Sequence, residues 1–136
     1  MAEHRLAGLS APSISDIEDL AAAAFSSLPD GLRTLCGEVI ITVTDFPTEE
    51  VQHDMDAGPF DLLGLFQGIG LAHDGAVPET GRMPNMIFLY RRAMLDYWAE
   101  HEETLGAVVT HVLVHEIGHH FGLSDDDMYA IEDRTP

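Results

Sequence analysis

The sequence predicts an α+β fold, a single domain with a small sheet packed on helices and its chemistry on a late helix. Three observations carry that prediction. At 136 residues and 46% apolar content the chain is the size of one domain with a real core. Its hydrophobic periodicity runs helix, strand, strand, strand, helix, helix, an order typical of segregated α and β elements. No repeat, low-complexity tract or domain boundary interrupts it. Residues 1–136 are therefore expected to form one domain, with 1–12 as a loose, flexible leader.

The first helix is expected to begin near Ser15, because Ser15 and Glu18 have capping-box spacing. Ile17, Leu20, Ala21, Ala24, Phe25 and Leu28 then follow at three- and four-residue steps and make one apolar stripe. Pro29-Asp30-Gly31 ends it as a turn. Residues 38–44, Glu-Val-Ile-Ile-Thr-Val-Thr, are rich in β-branched side chains and predict a strand. Residues 45–61 are acidic loop, with one helical turn expected near Glu49 to Asp54. Leu62 to Leu71 is apolar but carries Gly64, Gly68 and Gly70, which suits a short bulged strand better than a helix. A second loop spans 72–84. Met86 to Tyr90 is the third strand. Arg91 to Glu103 is helical, with Met94, Leu95 and Trp98 as its packing side, and Gly106 to Phe121 is the clearest helix.

Twenty-four acidic residues against six basic ones give a formal net charge of −18. Such a surface repels nucleic-acid phosphates and anionic lipid, so neither nucleic acid nor membrane is an expected partner. Its simplest consequence is solubility. The lone cysteine, Cys36, permits no internal disulfide and is expected to be a small buried hydrophobe. There is no signal-peptide run and no stretch long enough to cross a bilayer, so a soluble, cytoplasmic protein is expected.

The chemistry lies in His115-Glu116-Ile117-Gly118-His119-His120-Phe121-Gly122-Leu123-Ser124-Asp125. His115 and His119 are four residues apart, which on a helix sets both imidazoles on one face, one turn apart. Both then reach one tetrahedral ion at nitrogen–zinc distances of roughly 2.0–2.1 Å. Glu116 lies beside them without ligating, placed to take a proton from zinc-bound water. Gly122 can end the helix in a left-handed conformation and turn the chain back, bringing Asp125 toward the ion as third ligand. Asp126 and Asp127 compete for that place. The expected set is thus His115, His119 and Asp125 on Zn2+, one corner open for water, with Glu116 as catalytic base. Val108, Val109, Val112, Leu113 and Val114 would bury the helix, where histidines without partners are costly.

This segment resembles the extended zinc-peptidase motif H-E-x-x-H-x-x-G-x-x-D, a metzincin variant with aspartate in place of the third histidine. Leu62 to Leu71 with its glycines, and Ile87 to Met128 with Phe88-Leu89-Tyr90-Arg91, further resemble a family of very small bacterial zincin-like proteins, the minimal metallopeptidases. The resemblance implies a zincin-like fold with a small mixed sheet, and a zinc-dependent metallopeptidase acting on peptide or unfolded-protein substrates. Metzincins also carry a methionine turn beneath the metal. Met128 is the one methionine after Asp125, so either it serves from a short connection or that support is absent.

Other residues have simpler expected roles. His111, one turn before His115, is too far along the axis to share an ion comfortably with His119, since each four-residue step adds about 6 Å; it is expected to support the site or the core. His120 and Tyr129 are candidates for stabilising a developing oxyanion. His53, His73 and His101 are expected at the surface. The strand Met86 to Tyr90 is either the edge to which an extended peptide adds, as zincin substrates do, or an ordinary internal strand. Two rivals share the same residues: a metal hydrolase of non-peptide substrates, and a non-catalytic zinc-binding interaction module.

Overall fold

A computed structural model describes residues 2–68 and 84–134. In chain order the elements are α1 (Ala2–Ala7), α2 (Ile14–Ser26), α3 (Asp30–Cys36), β1 (Val39–Thr44), α4 (Glu49–Asp54), β2 (Gly64–Gln67), β3 (Asn85–Tyr90), α5 (Arg91–Glu100), α6 (Leu105–Phe121) and α7 (Asp125–Arg134). The architecture is the expected α+β, and the late helix α6 carries His111 and His115.

Among the described residues the sheet is three-stranded and mixed, in the order β1-β3-β2. β1 runs parallel to β3, and β2 runs antiparallel to it. Ile41 and Phe66 both pair with Ile87, and Val43 and Gly64 both pair with Leu89. With a side-chain period of two, that register puts Ile41, Val43, Phe66, Ile87 and Leu89 on one face, while Ile40, Leu65, Met86 and Phe88 take the other. Helices α2 and α6 pack against each other and against that face. Ile17, Ile87, Leu89, Met94, Val108, Val109, Leu113, Val114, Ile117 and Met128 are fully buried between the layers. Gly64 is required where it stands: a Cβ there would meet the Phe88 carbonyl and the Val112 side chain, each at 2.9 Å.

Several boundaries differ from expectation for local reasons. The capping box belongs to Ser13 and Asp16, whose side chains each bond the other's backbone N–H, so α2 starts two positions early and Ser15 lies inside it. The apolar stripe is as expected, with Ile17, Ala21, Ala24 and Leu28 buried. Pro29-Asp30-Gly31 does not simply turn; Pro29 fixes the entry to α3, a helix whose Leu32 and Cys36 are buried. Residues 2–7, expected as loose leader, form the short helix α1. The helical turn at Glu49–Asp54 is present, capped by Thr48. Residues 69–71 of the bulged strand and nearly all of the loop over 72–84, His73 included, lie outside the described residues. No described helix is long and apolar enough to cross a membrane.

β3 is the central strand, paired on both sides, and so offers no edge to a peptide. That function can fall only to an outer strand. Tyr90 N–H bonds the Leu63 carbonyl, which turns Leu63, and with it Leu65 and Gln67, toward β3. Because backbone polar groups alternate along an antiparallel strand, Gly64 and Phe66 present theirs to the outer edge of β2.

Candidate metal centre

Helix α6 is built to hold its polar face rigidly. Thr104 caps its N-terminus by accepting from the Ala107 N–H. Val108, Val109, Val112, Leu113, Val114, Ile117 and Gly118 bury the opposite side. At its end Gly122 takes φ 74° and ψ 28°. Leu123 N–H then bonds Gly118 O at 2.8 Å while Gly122 N–H reaches His119 O, a Schellman closure. The expectation for Gly122 thus matches the fold. Ser124 next caps a helix that the sequence reading missed, α7, by accepting from the Asp127 N–H at 3.1 Å. The missed signal was a serine followed by three aspartates, an N-cap with an acidic first turn.

His115 and His119 stand on one face with ring centroids 5.9 Å apart and planes at 78°. Given nitrogen–zinc bonds of roughly 2.0–2.1 Å, two imidazoles on one ion have centroids about 5–6 Å apart, a spacing this pair matches, although His115 Nε2 is engaged by Glu132. His115 is the more enclosed, its side chain 14% exposed, whereas His119 is exposed. Tyr129 stands beside His115, centroids 5.6 Å apart.

Glu116 points between α6 and β2. Burial pushes its carboxyl above the usual carboxylate range, opposed first by His119, then by a hydrogen bond from the Phe66 backbone, then by His115. Its neighbour across the cleft is Tyr90, buried at the end of β3; burial raises that phenol, and the Glu116 charge raises it further. The sequence reading placed Tyr90 only in a strand. Burial thus favours the protonated carboxyl, while the Phe66 backbone donor orients the carboxylate.

The carboxylates of α7 are arranged differently from the sequence reading. Asp125, Asp126 and Asp127 occupy the exposed first turn of α7, where they complement the helix dipole. Glu132, which that reading did not single out, accepts from two histidines of α6: Oε1 lies 2.7 Å from His111 Nδ1 and Oε2 lies 2.9 Å from His115 Nε2. Among the described residues, His111, His115 and Glu132 are the trio whose ligand atoms all lie within 4.8 Å of one another. His115, His119 and Asp125 are not drawn together that tightly. Glu132 was legible only through the period of α7, which sets it just after the buried Met128 and Ile131.

Beneath the motif, Met128 is fully buried and its thioether lies directly against Gly118. Of the two possibilities for Met128, the structure has it supporting the motif helix from a short connection. His120 stacks on Phe66 with centroids 4.2 Å apart. His53 is exposed, and the exposed His101 stacks on Tyr97 at 3.8 Å.

A family model described as zincin-like metallopeptidase matches residues 36–135, from the end of α3 through α7. The chain belongs to this family. No curated protein matches it. The family match covers β1, β2, β3 and the α6–α7 corner together, so it includes the whole of this zincin-like centre and not the motif alone. Membership implies a metal, usually zinc, and the imidazole and carboxylate donors gathered here suit that ion.

Proposed function

We propose that this zincin-like protein is a zinc-dependent metallopeptidase, with His115, His119 and Asp125 as the ligand set and Glu116 as the base. The observation that carries the proposal is the relation of Glu116 to its surroundings. Its carboxylate sits one residue from His115, within the field of His119, and hydrogen-bonded to the backbone of Phe66 on the outer edge of β2. A base so placed faces both the histidine pair and the strand edge to which an extended peptide can add.

When bound, zinc supplies a Lewis acid that polarises the scissile carbonyl and lowers the pKa of water to near 7. The protein does the rest. Gly64 offers its backbone N–H and carbonyl, and Phe66 its carbonyl, along the edge of β2 left unpaired among the described residues, so an extended substrate is held by its main chain, with little demand on its sequence. Glu116 accepts the proton of the attacking water and passes it to the departing amine. Tyr129, beside His115, is the donor we assign to the developing oxyanion; His120, stacked on Phe66, lines the edge strand.

Glu116→Gln tests this directly. The zinc-loaded variant should keep its metal, measured by elemental analysis, while hydrolysis of an unfolded protein or peptide library falls by about 10²–10⁴-fold. Wild-type turnover in Glu116→Gln would remove the assigned base. Absence of any cleavage by zinc-loaded wild type would favour a binding module.

A further inference from the structure

His111 and Glu132, at the other end of the histidine row, have no part in the catalytic set. His111 and His115 are one helical turn apart with ring centroids 4.0 Å apart, and Glu132 reaches across from α7 to meet each ring with a different oxygen. We propose that His111, His115 and Glu132 form a second seat for a divalent transition-metal ion, one that competes with the catalytic set for His115.

Three features support it. The donors are two imidazole nitrogens and a carboxylate, a combination that suits zinc and leaves a position for solvent. Their ligand atoms already lie within 4.8 Å of one another. Side-chain exposures of 32%, 14% and 19% for His111, His115 and Glu132 keep the cluster enclosed yet reachable by an ion. Both supporting elements are anchored in the core: α6 by its buried valines, and α7 by Met128 and Ile131, which precede Glu132. A cluster set on two anchored helices needs little reorganisation to bind.

The competition follows from one atom. His115 Nε2 is the nitrogen that meets Glu132, and an imidazole nitrogen has one lone pair to give. An ion in this seat therefore leaves His119 without its partner. The seat lies toward the N-terminal end of α6, on the side of His115 away from His119, so an ion there does not complete the catalytic set. The seat itself rests on geometry alone; only its competition with catalysis depends on the peptidase reading.

Cobalt titration followed by visible absorption, with elemental analysis, separates the two. His119→Ala/Asp125→Ala removes two residues of the proposed catalytic set and should still bind one Co2+ per chain. Adding Glu132→Gln to that background should weaken binding at least about tenfold, with circular dichroism and melting confirming that each variant is folded. If wild type binds Co2+ but the folded double variant takes up none, the second seat is refuted and the catalytic set stands. Unchanged affinity on adding Glu132→Gln also refutes it. If folded wild type takes up no Co2+, both ligand sets fall.

Discussion

Burial raises the proton affinity of Cys36, Tyr90 and Glu116 alike, and the consequences for Cys36 and Glu116 differ. Cys36 is 1% exposed, and burial alone pushes its thiol up to about 11. Nothing nearby stabilises a thiolate, so it is an inert core residue. The neutral thiol is favoured by the fold, so as pH climbs past the ordinary 9.0 the unfolded chain loses its proton first. Its contribution to stability is complete below that value and is lost progressively toward about pH 11. Denaturant melts from pH 8 to 11 should show this decline, and Cys36→Ala should flatten part of it. A disulfide reagent at pH 8 should label Cys36 only as fast as the chain opens. Glu116 differs because burial is opposed by two histidines and a backbone donor, a mixture that suits the proton exchange proposed for it.

At the scale of elements, the corner between α6 and α7 decides how well the motif is held. The glycine closure, the Ser124 cap and the contact of Met128 with Gly118 succeed one another within eleven residues, 118 to 128. Gly118 carries no side chain where a Cβ would press on Met128, so the thioether can lie flat beneath the histidine-bearing turn. Met128→Ala should therefore open a cavity and lower stability by about 2–5 kcal/mol, read from urea melts. Zinc affinity should fall with it, because α7 loses the anchor that aims its carboxylates. Melts and metal affinity equal to wild type would mean that the contact carries no load. At the far end of the sheet, Arg91 bonds the Pro12 carbonyl at 2.6 Å and Asp45 at 2.9 Å, joining three distant segments at the β3–α5 junction. That gives a physical reason for the arginine in the Phe-Leu-Tyr-Arg segment.

Over the whole molecule the dominant quantity is charge. With a net charge of −18 on 136 residues, like-charge repulsion opposes the compact state. Arg33–Asp30 and Arg91–Asp45 are the arginine ion pairs formed among the described residues, too few to offset it. Salt shortens the reach of that repulsion from about 30 Å at 0.01 M to about 10 Å at 0.1 M. Melting temperature should rise over this range by about 2–8 °C, the equivalent of roughly 1 kcal/mol. A flat or falling profile would show that the acidic residues are spaced too widely to interact. The same field concentrates divalent cations near the surface, which makes the stoichiometry of specific sites the quantity to measure.

Local sequence determined the α+β class, the main helices and strands, the helix that carries His115, Glu116 and His119, and the glycine that ends it. Each depends on periodicity or on one residue's conformational freedom, and both act over a few neighbours. Tertiary structure alone decided which strand is central and which are outer among the described residues, since strand order depends on long-range pairing. It also brought Tyr90 and the Phe66 backbone to Glu116 and set Met128 beneath Gly118. Above all, it selected Glu132, seventeen residues beyond His115, as the carboxylate that meets the histidines. A ligand trio is a statement about distances across two helices, and no spacing within one segment contains it.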